Sequence, residues 1–424
     1  MENWRYMMHT IKRTTVIILL LMPLQILAQQ QEVLSLDTIL QRISNSNLLL
    51  QSYNLRAESY KHKADASTAW MAPMAGVGTF MTPYPGQQVM EGRDKGAIMF
   101  ELEQEIPNPA KLKSKKEYIE SQGDVENATR GVTLNNFKAE AKNAYFSWLI
   151  AQKRIAVLQQ NSRIMETMKK IEKLRYPYNQ SELGGIYRAD AKIEENINMI
   201  RMQEGIISRS RALLNGLMNQ PGNHAFKIDS AYEVSLAIEP VIDTSSLAGR
   251  RLDILKMDKG IKSMQLNITA IKAEAKPDFK IRFGHMSPLS TMMPKAFSVM
   301  GMVSIPIAPW SSKMYKSDVK AMQYEIEAMQ KERGAMLQES QGMLYGMRAD
   351  INTMQERINS MEQRIIPSLQ KTMDAYFMNY QENKVELPRV IDSWEDVTMM
   401  LMNVLDEKLK LFQMIVNYEK ELYR

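Results

Sequence analysis

Residues able to carry chemistry are few in this 424-residue chain. It has no cysteine, which removes disulfides, thiolate nucleophiles and a cysteine-linked lipid anchor. Its four histidines, His9, His62, His224 and His285, are scattered. No HExxH, glycine-rich phosphate loop or nucleophile elbow occurs. Carboxylates are plentiful, but solvated helix surfaces account for them. No enzyme site and no cofactor are expected. Methionine stands out, with 35 copies. Thioethers are soft ligands suited to Cu(I), and Ag(I) behaves alike. Met286, Met292, Met293, Met300 and Met302 gather near His285 as one candidate metal contact. The competing use is packing, because other methionines fall on heptad positions, where a flexible side chain fills a seam.

The elements that position these residues start from one stretch, Ser311 to about Tyr380, which reads as a single helix. Helix formers fill it, and no proline occurs between Pro309 and Pro367. Met322, Met329, Met336 and Met343 fall at steps of seven. The pairs Met347/Ile351, Met354/Ile358 and Met361/Ile365 follow after one step of four. That is a heptad seam with a stutter, made for lengthwise packing on other helices. About 65 residues at about 1.5 Å each give roughly 100 Å. Such a helix suits a spacer, a filament or the wall of a tube.

Residues 1–28 read as an export signal. Arg5, Lys12 and Arg13 precede an apolar run from Val16 to Leu27, and Ala28 is a plausible cleavage position. The run is interrupted by Pro23 and falls short of the roughly 20 residues that a spanning helix needs. Its removal lowers the formal charge from +6 to +4. That charge is intermixed with acids, so no nucleic-acid footprint is expected. An exported chain of this kind is periplasmic, secreted or part of an outer-membrane β-barrel.

Two weak copies of one plan run through the rest, offset by about 200 residues. Ile106-Pro107-Asn108-Pro109 precedes one long helical stretch, and Ile305-Pro306-Ile307-Ala308-Pro309 precedes another. Tyr176 matches Tyr376, and Glu182 through Asp190 parallels Glu386 through Asp392. The first repeat is expected over 29–218. It holds a helix Ser35–Trp70, two strands within 74–106, a long helix 110–175 and a return helix Ile186–Met218. A linker covers 219–245. The second repeat, 246–424, holds a helix Ser246–Lys276, two strands within 278–307, the long helix 311–380 and a return helix Pro388–Tyr423. Phe279, Ile281 and Phe283 alternate with Lys280 and Arg282, as one-sided strands require. Phe137, Ala141, Ala144, Trp148, Ala151, Ile155 and Leu158 form the seam of the first long helix.

Four strands cannot close a barrel across a membrane, for which about eight is the smallest number. Their charged face would line water while Phe and Ile face lipid. Several chains must therefore share one barrel, and three give twelve strands. The expected fold class is mainly α with a small β part. Long antiparallel coiled-coil helices would form a trimeric α-barrel below a shared 12-stranded transmembrane β-barrel. Pro107, Pro109, Pro306 and Pro309 suit the barrel-to-tube junction, because proline fixes φ and ends a ladder. Trp70, Tyr84, Phe100, Phe279 and Trp310 could form aromatic belts at the lipid boundary.

At this point the chain resembles the TolC-like outer-membrane efflux proteins. The resemblance spans essentially the whole chain after the signal. It rests on Leu34-Ser35-Leu36-Asp37-Thr38-Ile39-Leu40, Ser44-Asn45-Ser46-Asn47, and Arg250-Arg251-Leu252-Asp253-Ile254. It rests further on Ala273-Glu274-Ala275-Lys276-Pro277-Asp278-Phe279, Ser304-Ile305-Pro306-Ile307, and Ala375-Tyr376 through Leu387. The family usually has glycine after the aromatic in its turn motif, where this chain has Asn179-Gln180 and Glu382-Asn383.

The resemblance implies a homotrimer in outer-membrane lipid, serving as the passive exit duct of a tripartite efflux pump. Its partners would be a periplasmic adaptor (membrane fusion) protein and an inner-membrane pump of the resistance-nodulation-division type. Cargo would be small molecules or metal ions. The alternatives are a type I protein secretion system and a non-channel periplasmic coiled-coil protein. Asp374, Glu382, Glu386 and Glu182 are then candidates for an acidic periplasmic gate. Tyr178, Asn179, Leu183, Gly184, Asn383, Val385 and Leu387 are candidates for adaptor-docking tips. A solvated helix end is the plainer reading of the same charges.

Overall fold

The computed structural model describes residues 32–178, 183–231 and 243–423. The expected signal at 1–28 lies outside them, as do Asn179, Gln180, Glu182 and part of the linker. In chain order, β1 (Val33–Leu34) leads to α1 (Leu36–Ser46), α2 (Leu48–Ala66), β2 (Met74–Phe80) and β3 (Ala97–Ile106). Then come α3 (Pro109–Arg175), α4 (Leu183–Leu217), β4 (Lys227–Ile228), α5 (Thr244–Arg250) and α6 (Leu252–Ala273). Strands β5 (Phe279–Pro288) and β6 (Ala296–Val303) precede α7 (Pro309–Ser360), a π-helical turn (Met361–Ile365), α8 (Ile366–Gln381) and α9 (Leu387–Leu422). No described helix is long and apolar enough to cross a membrane.

Two compact units result. One comprises the chain up to Asn47, Phe137–Ile238 and Arg348–Asn417; the other holds Leu48–Asn136, Glu239–Met347 and Tyr418–Arg424. The core of the first unit forms around the alanine-rich part of α3. Ala141, Ala144, Trp148, Ala151 and Leu158 are buried, as their alternating steps of three and four predict. Trp148 packs on Phe226 at 5.2 Å between ring centroids, with Ile39 and Ile43 of α1 in the same cluster. Small side chains on α3 let its neighbours approach closely. In the second unit Ile261 and Ile268 of α6 pack with Val319 and Ile326 of α7.

The long seam holds at Ile351 and Ile358, as expected, but is shifted off the methionines before them. Val319, Ile326, Leu337, Leu344, Ile351 and Ile358 are the buried apolar positions, and Met322 and Met329 only flank them. Steps of seven surround one step of eleven between Ile326 and Leu337, so the stutter lies earlier than the methionine spacing suggests. The helix is also interrupted. Pro367 has no N–H and its ring would strike the carbonyl four residues back. A π turn opens before it, with Ile366 N–H donating to Met361 O.

Two further helices expected to be single are broken. Asn47 separates α1 from α2 with φ −69° and ψ 122°, and Arg251 separates α5 from α6 with φ −69° and ψ 117°. In both, a buried polar side chain takes a distant partner in place of helix continuity. Asn47 Nδ2 donates to Leu217 O at 2.9 Å. Arg251 donates to Asp253 Oδ2 at 2.7 Å and Glu421 Oε2 at 2.8 Å.

The main sheet is antiparallel in the order β2-β3-β5-β6. Among the described residues, strands β2 and β6 therefore each have one edge without a paired strand. Where β3 and β5 meet the helices, Asp278 is a hub. It accepts from Asn108 N–H at 3.1 Å and from Lys111 Nζ at 2.5 Å, and its own N–H donates to Ser304 Oγ at 2.8 Å. Asn108 Oδ1 caps α3 by accepting from Ala110 N–H at 3.0 Å, beside Pro109 at the first helical position. Partial burial opposes charge on Asp278, yet the Lys111 ammonium and the Asn108 amide hold its carboxyl below the usual range.

Such a depressed carboxyl stabilises the fold above its ordinary pKa, and the contribution is lost as pH falls through the lowered value. Asp278→Asn is therefore expected to destabilise the protein at pH 7 by about 1–3 kcal/mol. The gap from wild type should narrow below about pH 4, read from thermal melts followed by circular dichroism. A second prediction concerns the end of α8. Asn383 has φ 57°, with Lys384 N–H donating to Asn379 O at 2.9 Å and Asn383 N–H to Tyr380 O at 3.1 Å. This is a Schellman cap in which asparagine takes the left-handed place usually held by glycine. In the same melts Asn383→Gly should be tolerated, whereas Asn383→Val should lose about 1–2 kcal/mol.

Candidate functional site

The register sorts the sheet into two chemically opposite faces. Val77, Phe100, Leu102, Phe279, Ile281, Phe283, Phe297, Val299 and Val303 share one face, through pairs such as Val77–Phe100, Leu102–Phe283 and Phe283–Val299. Each of them is 43–73% exposed in the single chain. The other face carries Glu101, Glu103, Glu105, Lys280 and Arg282, with Glu103 opposite Arg282 and Glu105 opposite Lys280. Arg282 donates to Glu103 Oε2 at 2.6 and 2.9 Å, and Lys280 lies 3.6 Å from Glu105 Oε2. A charge ladder of this kind needs water on its side, while the opposite face is mostly apolar and carries no charged strand residue in the paired register, only Thr79, Gln104, His285 and Ser287 among its polar groups.

The methionine group is spread by the same register. Met286, Met300 and Met302 lie on the charged face, opposite Met99, Arg282 and Lys280 respectively. His285 pairs with Phe100 on the apolar face, 6.4 Å between ring centroids. Met292 and Met293 belong to the β5–β6 loop, where Met292 is exposed. The structure does not bring the six side chains to one point, because strand alternation sends neighbours to opposite faces. Pro109 and Pro309 open α3 and α7, and Pro107 and Pro306 lie in the links just before them.

In the first unit Asp374 lies in the middle of α8, and Glu382 and Glu386 lie between α8 and α9. Asp374 is exposed, and among the described residues it has no ion-pair partner. It borders a groove of about 300 Å³ lined by Ile164, Met168, Ile171, Met373, Phe377 and Trp394. Glu382 pairs with Lys384 at 2.5 Å, and Glu386 is exposed just before α9. Of the docking candidates, Tyr178, Leu183, Gly184 and Asn383 are exposed. Leu387 is not: it is 3% exposed, inside the cluster of Met165, Met168, Val390 and Ile391, with Val385 packed against it. Leu387 is a core side chain and Val385 is half-buried against it, both turned inward where α9 begins.

Sequence reasoning missed the tie between these helix ends. Tyr380 Oη donates to the buried Glu172 Oε1 at 2.5 Å, and Arg175 stacks 4.6 Å above the Tyr380 ring. Burial first, then the Glu172 carboxylate, push the Tyr380 hydroxyl pKa above its usual range. The pair is separated by 208 positions, so no local pattern announces it. Leu174 and Tyr187, both 64% exposed, also went unnoticed beside Tyr178.

No protein-family model and no curated protein matches this chain. Solved structures do. A membrane protein from Pseudomonas aeruginosa aligns with TM-score 0.75 at 14% identity, over 93% of this chain and 91% of its own. The outer-membrane channel OprN aligns with TM-score 0.72 at 14% identity, over 91% and 89%. CusC, described for folding and transmembrane channel formation, aligns with TM-score 0.72 at 14% identity, over 91% of both chains. The chain thus has the TolC-like fold, that of bacterial outer-membrane channels.

Proposed function

We propose that the protein is an outer-membrane channel, the passive exit duct of an efflux system, with its helical part extending into the periplasm. The observation that carries this reading is the two-faced, open-edged sheet in a chain of this fold. In a shared barrel the apolar face meets hydrocarbon and the Glu103–Arg282 ladder lines the water. Three copies supply twelve strands, above the roughly eight that a membrane barrel needs, and the same three bring their long helices to one wall. The same order of helix, two strands, long helix and return helix occurs twice, which supports duplication of one plan. A periplasmic adaptor and an inner-membrane pump of the resistance-nodulation-division type would supply energy. The adaptor would meet the exposed tip residues Tyr178, Leu183, Gly184 and Asn383, with Asn179 between them in sequence.

The gate in this reading is the ring of carboxylates that three copies of Asp374 would make, joined by Glu382, Glu386 and Glu182. The tie of Tyr380 to Glu172 holds α8 against α3, so a movement of α8 away from α3 would have to break it. Purified protein added to a planar lipid bilayer should produce discrete single-channel currents. Asp374→Lys should shift the selectivity away from cations and alter the conductance. Absence of channels would overturn the duct, and identical currents in wild type and variant would remove Asp374 from the gate.

The lipid assignment of the apolar face is tested separately. Phe283→Lys places a charge on that face and should cost about 2–4 kcal/mol near the bilayer midplane. Much less protein should then fractionate with the outer membrane, whereas Phe283→Leu should leave the amount unchanged.

A further inference from the structure

The exposed apolar side chains at the foot of the sheet are unevenly placed. The inner junction, between β3 and β5, is closed by Asn108, Lys111 and Asp278. The apolar exposure lies instead where the chain enters β2 and where it leaves β6. Before β2, Trp70 is 58% and Met71 70% exposed. After β6, Ile305 is 72%, Ile307 68% and Trp310 83% exposed.

These two groups stand at the same height on the sheet. Met74 pairs with Glu103, so Met71, three residues earlier, is level with Ile106. Ile106 pairs with Phe279, and Phe279 pairs with Val303. The chain before β2 still runs beside β3 there, since Gln104 Nε2 donates to Met71 O at 3.1 Å. Beyond β6 the ladder continues one step, with Ser304 N–H donating to Asp278 O at 2.9 Å. Alternation puts Met71 on the face of Val77 and Ile305 on the face of Val303, with Ile307 in the turn that follows. Strands β2 and β6 run in opposite directions, so an antiparallel seam between them brings the start of one to the finish of the other.

We propose that Trp70 and Met71 of one protomer pack against Ile305, Ile307 and Trp310 of the next, forming an apolar clasp at the foot of each seam. Each chain holds both halves at opposite edges, and neither half is complete without a second copy. The clasp would fix which edges meet, where backbone pairing alone is indifferent to register. It rests on the shared barrel proposed above.

The chain contains no cysteine, so introduced pairs report without background. Met71→Cys with Ile307→Cys tests the clasp, and Val77→Cys with Phe297→Cys tests the seam higher up. A short bismaleimide reagent applied to outer membranes should link both pairs into dimers and trimers on denaturing gels. Links at the seam pair alone would overturn the clasp and assign the foot to lipid, while the shared barrel stands. Links at neither pair would overturn both. Trp310→Ala should also lower the temperature at which the oligomer dissociates in detergent, and Trp310→Phe should restore most of it. An unchanged dissociation temperature in Trp310→Ala contradicts the clasp.

Discussion

Inside hydrocarbon every backbone N–H and C=O must find a partner within protein, because lipid offers none. This chain meets that demand only halfway. Its sheet pairs β3 and β5 fully, but among the described residues β2 and β6 each leave one edge without a strand. One face is largely apolar from Val77 to Val303, and the other is ion-paired from Glu103 to Lys280. A lone sheet of this kind is stable neither in water, which meets the apolar face, nor in lipid, which meets the open edges. Closing edge on edge with further copies answers both problems at once. The fold, the proposed ring and the proposed duct follow from that one need.

Joining such a sheet to long helices creates its own problem, because strands end with unpaired groups where helices begin with unpaired N–H groups. Asp278 meets both needs, receiving the Asn108 amide and the Lys111 ammonium while its own N–H reaches Ser304. Proline begins both long helices, where its missing donor costs nothing. At the far edge Ser311 Oγ ties down the link by donating to Pro306 O, yet Ile305 and Ile307 stay exposed, and that exposure is what a neighbouring chain would relieve.

Much of this was legible in the chain itself. Alternation of Phe279, Ile281 and Phe283 with Lys280 and Arg282 reads directly as a one-sided strand, and the alanine steps of α3 read as a buried seam. Both are local periodicities tied to backbone geometry. What escaped depends on partners far along the chain. Asn47 breaks a helix because Leu217 O is waiting, Arg251 because Glu421 is, and Tyr380 carries the tie to Glu172 that no neighbouring residue reveals. Pro367 was in plain view, yet nothing local says that a π turn, not a kink or an end, absorbs it. Asn383 reads as a departure from glycine until its positive φ shows the same job done by another residue. The methionines misled in register, since the branched side chains beside them take the buried places on α7.

The account stands or falls on whether one chain's sheet is completed by others. Native mass spectrometry of the protein extracted from outer membranes in mild detergent addresses that directly. A detergent-dependent particle of three chain masses is the predicted result. A particle of one chain mass that stays in solution without detergent would contradict it.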